Sequence, residues 1–212
     1  MAILPVIDLG ALWLGDVPVS PTHIDFVDET GNTVQVHGYT SHTVMMYSPT
    51  NTLLHTFTST IHAQHVDLTW PEESILEAEG IHTLIIKFFD ADGVTIQAEP
   101  YKLVVQKRAS WLSLEQARGQ WADAPLDDVF LFQILEAAKV QCVAYAPALA
   151  ANAVIPVNYL QAQVMQARAL YQSVIANQND NVGIEGFAVR VFPLDFTIRA
   201  LLRPKKAIAG MF

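Results

Sequence analysis

All of the net charge of this 212-residue chain, and every one of its histidines, falls in its first half. Residues 1–108 hold four Lys/Arg against thirteen Asp/Glu, a balance of −9, whereas residues 109–212 hold eight of each and balance to zero. His23, His37, His42, His55, His62, His65 and His82 lie before the shift; the alanine- and glutamine-rich segments lie after it. Such a break predicts two chemically different domains, 1–108 and 109–212, each of roughly 100 residues and long enough to bury a core. With 51% hydrophobic and only 16% charged residues, wholesale disorder is excluded.

The single Cys142 cannot form an internal disulfide, and its neighbours Val140, Val143 and Ala144 mark it as a buried structural thiol. The first residues, MAILPVIDLG, carry no basic residue before Asp8 and include Pro5, so they lack the basic start of a secretion signal. No stretch reaches the ~20 uninterrupted apolar residues of a membrane span, so a soluble protein with no membrane partner is expected.

The first domain reads as β. Short runs rich in Val, Ile, Thr, Phe and Tyr alternate with turn clusters such as Asp28-Glu29-Thr30-Gly31-Asn32 and Asp90-Ala91-Asp92-Gly93. Strands are expected near residues 21–27, 33–39, 42–48, 53–61, 65–70, 81–89 and 94–106, with PEESILEAEG (71–80) as a turn or short helical connection. Strands at this spacing point to an antiparallel β-sandwich. The runs IDFVDETGNTVQV, VDLTWP and HTLIIKFFDADGVTIQAEPYKLVVQ resemble the immunoglobulin-like domains that decorate structural proteins of tailed phages, although no Cys…Trp…Cys framework is present.

The second domain reads as helical. Ser113-Leu-Glu-Gln116 is a capping box opening a short helix to about Ala122; Asp127 or Asp128 opens a second, to about Tyr145; Pro156 opens a third, to about Asn177. A loop of Asn/Asp residues follows, then a strand-like arm, GFAVRVF (186–192), and a last helix from Pro193 that Pro204 ends. The two long helices carry almost no charge, so neither presents an ordinary solvated face. In the third, Leu160, Val164, Ala167, Tyr171 and Val174 form one apolar stripe, and Gln161, Gln163, Gln166 and Gln172 supply neutral polar surface. That stripe suits either a subunit interface or packing within the chain.

The blocks APLDD (124–128), AYAP (144–147), VIPVNY (154–159), AQVMQAR (162–168), GFAVRVFPLD (186–195) and LLRPK (201–205) resemble, in order, the head–tail connector (adaptor) proteins of tailed bacteriophages. The resemblance covers roughly residues 111–206. It implies a homo-oligomeric ring of about twelve copies beneath the portal protein, next to a neck stopper or tail-terminator ring, in the virion after assembly in the host cytoplasm. It also implies that the carboxy-terminal segment, with Arg199, Arg203, Lys205, Lys206, Met211 and Phe212, docks to the portal. Leu160, Val164, Ala167, Tyr171, Val174, Phe187, Val189, Arg190 and Val191 are the expected subunit contacts. Viral DNA would meet such a ring only transiently and without sequence reading, since a chain of charge −9 cannot hold duplex DNA by phosphate neutralisation. A tail or baseplate adhesion module, its sandwich binding a carbohydrate or host surface, is the alternative.

Catalysis has no candidate constellation: H-E-x-x-H, C-x-x-C, G-x-S-x-G and phosphate-binding glycine loops are all missing from the sequence, and neither an enzyme nor a cofactor is expected. His62-Ala-Gln-His65 with Asp67 has the letters of a metal site. Read as one strand, however, an odd separation turns His62 and His65 to opposite faces, so scattered imidazoles are the expected arrangement and no metal is assigned.

Overall fold

The computed structural model describes residues 2–93, 95–108, 111–150, 153–179 and 194–204, and side chains of α3 as far as residue 175. The protein is α+β. It divides into two compact units, Met1–Arg108 and Ala109–Phe212.

Among the described residues, the first unit contains nine strands: β1 (Leu4–Ile7), β2 (Leu12–Trp13), β3 (Thr22–Val27), β4 (Ser41–Tyr47), β5 (Leu53–Ile61), β6 (His65–Thr69), β7 (Gly80–Phe89), β8 (Thr95–Gln97) and β9 (Tyr101–Gln106). They hydrogen-bond in the order β1-β3-β6-β5-β4-β7-β9-β2, with β8 on β7. β5 joins two layers: up to Phe57 it pairs with β4, and from Thr58 onward with β6. The result is one sheet curled over itself. The alternation that patterns β3 and β6 turns Ile24, Phe26, Val66 and Leu68 inward, against Val44, Met46, Leu84, Ile86 and Phe88 of the other layer. Phe26 meets Phe88 edge to face at 5.2 Å. By the same alternation His23, Asp25, His65 and Asp67 face outward.

Three strand expectations are corrected. Residues 33–39 form no strand, because their donors serve separate partners: Val34 bonds Phe26 and Val36 bonds Ala63, leaving only an isolated bridge between Val27 and Thr33. The run 94–106 is split, since Pro100 has no N–H to give, and Ala98 and Glu99 donate to Ile86 and Ile3 instead. Two short strands, β1 and β2, arise where none was expected. Of the 71–80 segment, residues 71–79 are an irregular connection and Gly80 already begins β7.

The second unit contains α1 (Leu114–Gln120), α2 (Asp128–Tyr145), α3 (Val157–Asn179) and α4 (Phe196–Leu202). Ser113 and Gln116 form the capping box at α1, and Asp127 caps α2 through the Phe130 N–H. α2 packs on α3, and α3 on α4. α4 begins at Phe196 behind an Asp195 cap, three residues later than the Pro193 start expected from sequence. A small core joins Cys142, Tyr159, Ala162, Ile198 and Leu202. Its enclosure pushes the Cys142 thiol up to about 11.

Candidate functional site

The helical unit bears the expected subunit contacts, and the structure rearranges them. Val164 and Ala167 are buried within the unit, Leu160 and Tyr171 are half-buried, and Val174 is exposed. Tyr171 lies edge-on to Trp121 at 5.3 Å and near Phe130 at 6.0 Å. The apolar stripe is therefore largely the inward face of α3, and Val164 and Ala167 are corrected from subunit contacts to core: side chains covered by their own chain cannot meet a neighbour. Gln163 and Gln166 are buried too, rather than part of a polar surface. Gln163 accepts from the Leu112 N–H and donates to the Leu135 carbonyl, both at 3.1 Å, so its amide is satisfied on both sides. Gln166 donates to Gln141.

A different face of α3 is left open. Val157, Gln161, Met165, Arg168, Gln172 and Ile175 recur at helical spacing and are all exposed. On α2 the open stripe is Gln133, Ala137, Val140 and Ala144, flanked by Val143, with Val140 65% and Val143 55% exposed. Ten of the fourteen exposed large hydrophobic residues among those described lie in this unit, so its outer surface is greasier than that of the acidic β unit. One cation, Arg168, interrupts the two stripes.

Of the proposed portal-docking residues, Arg199 and Arg203 are exposed on and just after α4. The Arg203 guanidinium sits 4.8 Å over the Tyr145 ring. Lys205, Lys206, Met211 and Phe212, like Phe187, Val189, Arg190 and Val191 of the arm, lie outside the described residues.

The β unit holds a constellation that sequence reasoning separated. His62 donates its backbone N–H to the His65 carbonyl at 2.8 Å across a two-residue turn, Ala63-Gln64. The two histidines are thus opposed across a hairpin rather than three apart on one strand, and opposed residues share a face. Their rings stack at 4.5 Å, which corrects the expectation of opposite faces. Asp67 stands two residues beyond His65 on the same side, and His23 of β3 is its direct partner in register. Asp67 receives all three imidazoles: His23 Nδ1 lies 2.5 Å and His65 Nε2 3.5 Å from Oδ1, and His62 Nε2 lies 3.2 Å from Oδ2. Burial draws the Asp67 carboxyl upward, but the hydrogen bond with His23 and the three nearby rings outweigh it and hold the group below its ordinary value. His23 also borders an open groove of about 670 Å³ whose lining includes Asp8, Asp16 and Asp25.

No protein-family model matches the chain, and no curated protein sequence matches it. Among solved structures it is similar to CopC from Methylosinus trichosporium OB3b, at 14% identity and a TM-score of 0.33 over 52% of this chain and 99% of that one. It is also similar to the Lin-41 filamin domain, at 17% identity and a TM-score of 0.31 over 49% of this chain and 90% of that one. A third likeness is to the fibronectin(III)-like modules of Clostridium thermocellum CbhA, at 16% identity and a TM-score of 0.25 over 49% of this chain and 96% of that one. Filamin and fibronectin type III modules are themselves immunoglobulin-like β-sandwiches; with TM-scores below 0.5, these likenesses carry no argument about this chain. Among the described residues, no helix is long and apolar enough to cross a membrane.

Proposed function

We propose that this chain is a structural virion protein: an adaptor whose copies close into a ring between the portal and the next neck or tail ring, extending the channel through which DNA leaves. The observation that carries this reading is that the helical unit owns a core yet leaves the outer faces of both long helices nearly uncharged. A closed ring needs two unlike surfaces per subunit, one for each neighbour, and α2 and α3 each offer one. Large exposed apolar areas on a folded unit mark association sites. The resemblance of the ordered blocks from APLDD to LLRPK to connector proteins supports this choice of assembly, and the exposed Arg199 and Arg203, followed in sequence by Lys205 and Lys206, suit a cationic contact with the portal. The acidic β unit is the outward decoration or a contact to neighbouring neck proteins.

Charge placed on each open face tests the reading. Val140→Glu on α2 and Met165→Glu on α3 change exposed positions, so each shifts monomer stability by about 0.5 kcal/mol or less. Both are expected to abolish ring formation on the portal, because a carboxylate buried at a subunit contact without a partner is strongly unfavourable. Rings that tolerate both charges would contradict the proposal. Trimers located at a tail tip would support the adhesion module instead.

A further inference from the structure

We propose that His23, His65 and Asp67 bind a zinc(II) ion on the outer face of the β unit, with His62 as the residue that orients the carboxylate. Three features of the geometry point there. First, the donor atoms of His23, His65 and Asp67 all lie within 4.8 Å of one another, on neighbouring strands whose register fixes them on one face. In a tetrahedral site with bonds of 2.0–2.1 Å the ligand atoms are about 3.3 Å apart. The His65–Asp67 separation of 3.5 Å is already near that edge; the His23 side chain, 63% exposed, has room to draw back from Asp67 and adjust its spacing to His65.

Second, the donor set selects the ion. Two neutral imidazole nitrogens and one carboxylate oxygen suit a borderline divalent transition metal, whereas calcium and magnesium take oxygen ligands. Three protein ligands facing solvent leave a fourth position for water or another ligand. The surplus of nine acidic charges in residues 1–108 raises the local concentration of any dication.

Third, His62 occupies the place of an outer partner. Its Nε2 lies 3.2 Å from Oδ2 of Asp67, the oxygen that His23 and His65 leave free, and its ring is stacked on that of His65. Ligating carboxylates are commonly held in this way, and loss of such a partner weakens metal binding by about 10- to 100-fold. A bound ion would tie β3 to the β5–β6 hairpin. It is independent of ring assembly, so either reading can fail alone.

The experiment uses the full chain, free of any purification tag and stripped with chelator, titrated with zinc chloride by calorimetry while histidine ring resonances are followed by NMR. One zinc per chain is expected, with the His23 and His65 ring signals shifting together and the melting temperature of the β unit rising by about 5 °C at saturation. His65→Ala and Asp67→Asn should each weaken binding by about 100-fold or more, and His62→Ala by about 10-fold. His37→Ala, outside the cluster, should leave it unchanged. No binding at 100-fold excess zinc, ring shifts confined to other histidines, or equal affinity in the His65→Ala protein would each overturn the proposal. The wild-type ring shifts decide the matter even where a variant folds poorly.

Discussion

Asp28 shows how much one side chain can organise. Its carboxylate accepts from the Thr30 hydroxyl, the Thr30 N–H and the Asn32 N–H, closing the turn after β3. Led by the Thr30 hydroxyl and the Asn32 amide, these bonds favour the charged form and push the group down from 3.8 to about 2. The sign follows: the turn's contribution is complete above the ordinary carboxyl range and is lost as pH falls through about 2. A carboxyl-carbon NMR titration should place the Asp28 midpoint near 2, whereas a midpoint near 3.8 would mean the turn does not hold. The letters of Asp28-Glu-Thr-Gly-Asn32 announced that turn. The imidazole cluster was harder to read. Strand ends at 61 and 65 already implied a turn between His62 and His65, but Ala63-Gln64 carries no glycine, asparagine or proline to signal it. His23, far away in sequence, enters only through the pairing of β3 with β6.

At the scale of elements, the helices were more legible than their faces. Caps are local chemistry, so a few letters marked the start of α1 at Ser113 with Gln116 and that of α2 at Asp127 or Asp128, of which Asp127 is the cap. Which side of α3 turns inward depends on what α2 and the segment before α1 present to it, and that is tertiary information. The glutamines illustrate the cost of not having it: Gln163 has the composition of surface but serves as a buried cross-link between Leu112 and Leu135. Gln163→Met should keep the volume yet strand the buried Leu112 N–H, lowering the stability of the helical unit by about 1–3 kcal/mol in chemical denaturation. A loss within error would show that the amide contributes nothing. The absent strand at 33–39 has the same origin: Val34 and Val36 are buried as their alternation suggests, but burial alone supplies no ladder partner.

At the scale of the molecule, the charge break at residue 108 coincides with the division between a curled β unit and a helical one. A polar, histidine-rich exterior over a well-filled sandwich needs no further cover. A helical unit with open stripes at Val140 and Val143 on α2 and at Val157, Met165 and Ile175 on α3 does. We propose that other copies of the chain provide that cover around an axis. Imaging intact particles that carry this protein tests it most directly. A closed ring of the helical unit beneath the portal is expected, with α2 of one copy against α3 of the next; a solitary copy with both stripes facing solvent, or density only at the tail tip, would contradict the proposal.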